Sequence, residues 1–171
     1  MSKQKSNYPL LYWLLLPISI LFNGCGGYPS IVSLPYDFRG TSINSAANES
    51  YPQIAPPYIV FVSDRNGIQS IYLYNSQTRK LVDTPGLNFL DAIASSPSIS
   101  ADGRFIVFVA NRNGRSAIYL YDRETRQRRN LTENIEAEVR NPNISSDGNK
   151  IAYEIALNGH WEIALIDINT I

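Results

Sequence analysis

Apolar runs and turn dipeptides alternate most regularly over Pro97–Tyr121. Phe105–Val109 and Ile118–Tyr121 are rich in β-branched and aromatic residues, as strands are. Asp102-Gly103 and Asn113-Gly114 reach positive φ at little cost, so each predicts a two-residue hairpin turn. The phrase then returns. Downstream it is Pro142…Asp147-Gly148…Ile151-Ala-Tyr153…Asn158-Gly159…Ile163–Ile166, and upstream, more worn, Pro52…Ile59–Val62…Asn66-Gly67…Ile71–Tyr74. Prolines 52, 97 and 142 stand 45 residues apart both times.

A period of this length with several strands per repeat marks propeller blades or similar arrays. The chain is therefore expected to be all-β, a partial propeller of three blades at about 52–96, 97–141 and 142–171. Each blade has four antiparallel strands, and the last has three. In the middle blade the strands are expected at 97–100, 105–110, 117–122 and 127–131, with a third turn near Arg123–Thr125. The two middle strands are near-continuous apolar runs. Such runs indicate burial on both faces, which a sheet attains when stacked between its neighbours.

The first repeat lacks the Asp-Gly turn, and its link from Pro52 to Ile59 is two residues shorter than the others. The third repeat leaves an outer edge open, and Ser30–Leu34 is a candidate strand to cover it. Three blades do not close a ring. A homodimer completing a six-bladed ring is one way to bury the two ends.

Pro97–Phe108, Arg112–Gly114, Ile118–Asp122 and Arg129–Thr132 together resemble the repeat of the TolB-like propeller family. The resemblance covers about residues 52–171. It implies a non-enzymatic periplasmic module of the cell envelope that works through protein–protein contact. The same blade type occurs in propellers of prolyl-oligopeptidase-like enzymes, so a regulatory propeller is an alternative. TolB proteins carry six blades and a separate N-terminal domain, so their particular partners do not carry over.

The N-terminal stretch has its own pattern. Lys3 and Lys5 precede an apolar run of 14 residues, Pro9–Phe22. A membrane span needs ~20 residues, and a signal-peptide core needs fewer. Phe22-Asn23-Gly24-Cys25 follows, and Cys25 is the only cysteine. A small residue before a lone cysteine resembles a lipoprotein cleavage site, although Phe22 and Asn23 depart from that pattern. Residues 1–24 are therefore expected to be a signal peptide, Cys25 a lipid attachment site, and 25–50 a tether. Stable anchoring takes more than one acyl chain. By resemblance to the enterobacterial lipoprotein sorting rule, Gly26 in place of Asp permits export to the outer membrane, which is expected over the inner.

Composition adds exclusions. Fifteen basic residues balance fifteen acidic ones, which does not favour nucleic acid as a partner. His160 is the only histidine, at a turn, and no Gly-x-Ser-x-Gly elbow occurs, so no catalytic residues are assigned. One histidine and one cysteine do not make a zinc set. Asp64-x-Asn66-Gly67 matches the opening of a calcium loop but lacks the remaining ligands. No metal or cofactor is expected. Arg123, Arg126, Arg128 and Arg129 form the one basic cluster. Arg126, Arg128 and Arg129, with Trp161, are the expected contacts for other envelope proteins. Carbohydrate or peptidoglycan stacked on tyrosines and Trp161 is the alternative ligand.

Overall fold

The computed structural model describes residues 30–170. The chain divides into two units, Met1–Ser33 and Leu34–Ile171. In the first, residues 30–33 are irregular and exposed. Ser30–Leu34 therefore forms no strand, contrary to expectation. Two β-branched residues are not enough for one without a partner edge.

The second unit holds three antiparallel sheets of four, four and three strands. Blade one is β1 (Glu49–Ala55), β2 (Tyr58–Ser63), β3 (Ser70–Asn75) and β4 (Lys80–Val82). Blade two is β5 (Ile93–Ile99), β6 (Phe105–Arg112), β7 (Arg115–Asp122) and β8 (Gln127–Asn130). Blade three is β9 (Val139–Ile144), β10 (Lys150–Leu157) and β11 (His160–Asp167), followed by a short 3-10 turn at Ile168–Thr170. Strands follow one another in sequence order, so each sheet is a meander. This is the all-β partial propeller that the repeats predict. The innermost strands begin three or four residues before the prolines that mark the period.

Stacking explains the continuous apolar runs. In β6, Ile106, Phe108 and Ala110 join Val60, Val62, Ile71 and Leu73 of blade one in a single core. Val107, on the other face, joins Ile118, Leu120, Val139, Ile144, Ile151, Tyr153 and Ile155 in a second. Burying each large side chain is worth about 1.5–3 kcal/mol, which no isolated sheet would collect on both faces. The long linker after β4 contributes Leu87, wholly buried, to the first core.

The turns sort into two kinds. Asn113-Gly114 and Asn158-Gly159 are two-residue hairpins, closed by Arg112 opposite Arg115 and Leu157 opposite His160. Both residues of each turn have positive φ, as the tight primed turn demands. Asp102-Gly103 and Asp147-Gly148 are not two-residue turns. Each closes a five-residue loop between strands in which the glycine N–H donates to the carbonyl of Ser100 or Ser145, at 2.9 Å. The aspartate accepts from the loop serine hydroxyl and from the backbone N–H two residues on. Asn66-Gly67 also sits in a longer loop, where Gly67 N–H donates to Asp64 at 2.8 Å.

These glycines also serve the stack. A Cβ on Gly103 would lie 2.4 Å from the Tyr58 ring, and one on Gly148 would lie 2.8 Å from the Phe105 ring. Tyr58 and Phe105 each open the second strand of a blade, and each cushions the turn of the next blade.

Residues 34–48 do not behave as a tether. They fold over the outer face of blade one, placing Ile43 against Phe61 and Tyr74. Arg65 fastens this cap. Its guanidinium donates to the carbonyls of Gly40, Ser42 and Ile43 at 2.7–2.9 Å and to Glu49 Oε1 at 3.0 Å. The same group lies over the rings of Phe61 and Tyr72. Asp64 adds a second latch, accepting from the backbone and side-chain nitrogens of Asn48, both at 2.9 Å. The supposed opening of a calcium loop is thus occupied by a protein contact.

Candidate functional site

The innermost strand of every blade carries the same irregularity. Residues Tyr51-Pro52, Ser96-Pro97 and Asn141-Pro142 each interrupt the ladder, so that two residues face one on the neighbouring strand. The single residue opposite is Phe61, Phe108 or Tyr153, aromatic each time. Tyr51, Ser96 and Asn141 have φ of 51°, 48° and 50°. A non-glycine residue in this region costs about 1–2 kcal/mol. Three such residues at one place are an outlier of the kind that accompanies functional surfaces.

The bulges share a groove. Its lining includes Tyr51, Gln53, Ser96, Ser98, Asn141 and Asn143, and its volume is about 220 Å3. Ser96 Oγ donates to Asn141 Oδ1 at 3.3 Å, and Asn141 Nδ2 donates to Glu154 Oε1 at 3.0 Å. Arg140 Nε donates to Glu154 Oε2 at 2.6 Å. The Asn141 amide, followed by Arg140, holds the Glu154 carboxyl below the ordinary carboxylate value. Glu154 is thus an ionised anchor rather than a proton donor near neutrality. Amides, hydroxyls and a phenol make this a neutral hydrogen-bonding surface. It has no paired nucleophile and base.

The expected contact residues do not converge on this groove. Arg126 lies in the turn before β8 with φ of 59°, exposed, and so does not share a strand face with Arg128. Arg128 is half-buried over the Phe89 ring at 3.7 Å and donates to the carbonyls of Leu87 and Asn88. Burial lowers its guanidinium below the ordinary value. It braces the linker, and of the two β8 arginines Arg129 is the exposed one. Trp161 is 40% exposed on blade three, with Arg140 stacked 3.7 Å over its ring, so one ring face is already occupied. His160 begins β11, exposed beside its turn. Cys25 and residues 1–24, the expected signal peptide, lie outside the described residues. Among the described residues there is no cluster of three or more metal-ligating side chains, and no helix long and apolar enough to cross a membrane.

Sequence reasoning missed both the bulge residues and Arg65. The prolines were visible only as period markers. A proline inside a strand pattern is also a bulge signal, and that signal pointed to positions 51, 96 and 141.

Two four-stranded meanders and one three-stranded meander, stacked and bulged on their inner strands, define a β-propeller arc of TolB-like fold. Comparison with solved structures agrees. A TolB candidate from Agrobacterium tumefaciens matches at TM-score 0.56 and 21% identity, covering 72% of this chain and 43% of that one. The propeller domain of the Trilobed protease from Pyrococcus furiosus, described as having an open velcro topology, matches at 0.55 and 18%, covering 72% and 40%. Oligogalacturonate lyase from Vibrio parahaemolyticus matches at 0.53 and 20%, covering 72% and 38%. No family model and no curated protein matches the chain. The chain therefore spans about two fifths of the length of these structures. A TolB protein, a protease domain and a lyase share the fold, so the fold alone does not select among their functions.

Proposed function

We propose that the chain is a non-enzymatic, TolB-like β-propeller module of the bacterial envelope that binds protein partners through the inner-strand groove. The observation that carries this reading is the triple bulge. Tyr51, Ser96 and Asn141 are held in costly backbone conformations where three blades meet, and they present neutral hydrogen-bonding groups to solvent. Surfaces of this kind suit the polar loops of a protein partner better than bond-breaking chemistry, which needs a base or nucleophile poised by its surroundings. Lipid attachment at Cys25 would hold the module at the periplasmic face, on the outer rather than the inner membrane.

Affinity capture from detergent-solubilised envelopes tests the reading. The full chain should enrich specific proteins, and Tyr51→Ala with Asn141→Ala should lose them while the melting temperature stays within a few degrees. Retention on purified peptidoglycan sacculi in place of protein enrichment would favour the carbohydrate-binding alternative. Capture unaffected by the two substitutions would move the site elsewhere. Labelled palmitate should enter the chain and fail to enter Cys25→Ser; a chain that takes up no label has no acyl anchor.

A further inference from the structure

The two outer faces of the arc are unlike. Blade one ends under its cap, with Phe61 and Tyr74 buried. Among the described residues, nothing covers blade three. On its outer face Ile163 and Leu165 are 73% and 71% exposed, and Trp161 stands beside them. The matching positions of blade two, Ile118 and Leu120, are buried under blade three.

The bare face is not shaped for another blade of the same kind. Lys150 stands where Tyr58 and Phe105 cushion the following turn, and Glu154 stands where Val62 and Val109 are buried. Both charges are matched within the face: Arg140 binds Glu154 at 2.6 Å and Lys150 binds Asp167 at 3.0 Å. The face is thus electrically neutral, with opposite charges interspersed among apolar side chains. Two copies of such a face can meet without placing an unmatched charge in the contact. Head-to-tail closure into a six-bladed ring would instead need the cap of blade one to leave.

We infer that the outer face of blade three is the contact for a second copy of this chain, face to face about a two-fold axis. An isologous contact uses one patch per chain, and among the described residues one apolar end of the arc is uncovered. By strand rise and spacing, the face measures roughly 25 by 14 Å. At about 350 Å2 per chain, or about 700 Å2 for the pair, this is smaller than a stable interface, so the contact is a weak, transient one whose dimer forms and dissociates within about 1–100 µM.

The full-length chain carrying Cys25→Ser, in density-matched detergent, is the material for the test. Sedimentation equilibrium should show a reversible monomer–dimer equilibrium over that range. Ile163→Lys with Leu165→Lys should weaken it about tenfold or more. In the same background Ile163→Cys should cross-link to itself with a short bis-maleimide, since face-to-face sheets lie about 10 Å apart. Arg79→Cys, on blade one, should not. A monomer at every concentration overturns the inference. A dimer that Ile163→Cys fails to cross-link overturns it as well, whether or not the double-lysine variant folds.

Discussion

Blade one and blade three end the same stack in opposite ways, and the contrast lies in a few side chains. Both are antiparallel meanders with the same inner-strand bulge and the same inner packing. Arg65 gathers a loop over blade one by satisfying three carbonyls and a carboxylate at once, with its side chain 5% exposed. Among the described residues, blade three has no counterpart. Its outer face replaces the buried valines and aromatic cushion with Glu154 and Lys150, each paired locally. A sheet face can be finished in two ways: by covering it with more chain, or by making it polar enough to face water or its own kind.

Removing the fastener should produce the largest effect. Arg65→Ala leaves the carbonyls of Gly40, Ser42 and Ile43 without the guanidinium and Glu49 with only the Ser45 and Ser63 hydroxyls in place of its cation, and should cost about 3–5 kcal/mol in denaturant unfolding. A change below about 1 kcal/mol would mean the cap is held by apolar contact alone. The junctions come next. Gly103→Ala drives a methyl group into Tyr58 and keeps a residue at φ of 73°, so a loss of roughly 2–4 kcal/mol is expected. Gly159→Ala, at the bare end, meets nothing within 4 Å and should lose only about 1 kcal/mol. Equal losses would break the distinction between stacked and free turns.

Acid should loosen the cap. Asn48, through its side chain and then its backbone N–H, lowers the Asp64 carboxyl below its ordinary value, and Thr41 and Arg39 do the same for Asp37. A carboxyl lowered by folding adds stability above its unfolded value of about 4, and that contribution disappears as pH falls through the folded value. Hydrogen exchange in residues 36–48, corrected for intrinsic rates, should therefore accelerate below about pH 4 relative to the core strand Phe105–Arg112. The smallest effect belongs to the bare face. In a chain dilute enough to be monomeric, Ile163→Thr should change stability by less than about 0.5 kcal/mol, whereas Ile118→Ala at the matching buried position should cost about 2–5 kcal/mol.

How much of this was legible varied by feature. Period, strand identity and stacking were readable because each repeat states its hydrophobic pattern in consecutive residues. Asn113-Gly114 and Asn158-Gly159 were readable as hairpins for the same local reason. Asp102-Gly103 was misjudged. Its dipeptide suits a tight turn, but Ser100 Oγ donates to Asp102 and accepts from the Phe105 N–H, which stabilises a longer loop. The sequence places Arg128 in a basic cluster, among the expected partner contacts. Its partners, Phe89 and two linker carbonyls, lie some forty residues away in sequence, where no local pattern reveals them. The candidate groove was hidden similarly, since Tyr51, Ser96 and Asn141 are 45 residues apart and unlike in chemistry.

Read by itself, the chain determined that three similar β-meanders would form and would need one another, because apolar residues on both faces of a strand leave water no side to occupy. Tertiary structure alone decided which outer face would be covered, which arginine would be buried, and that three scattered residues would share a groove. Those outcomes depend on contacts between residues distant in sequence, where a few hydrogen bonds and ring contacts outweigh any local preference.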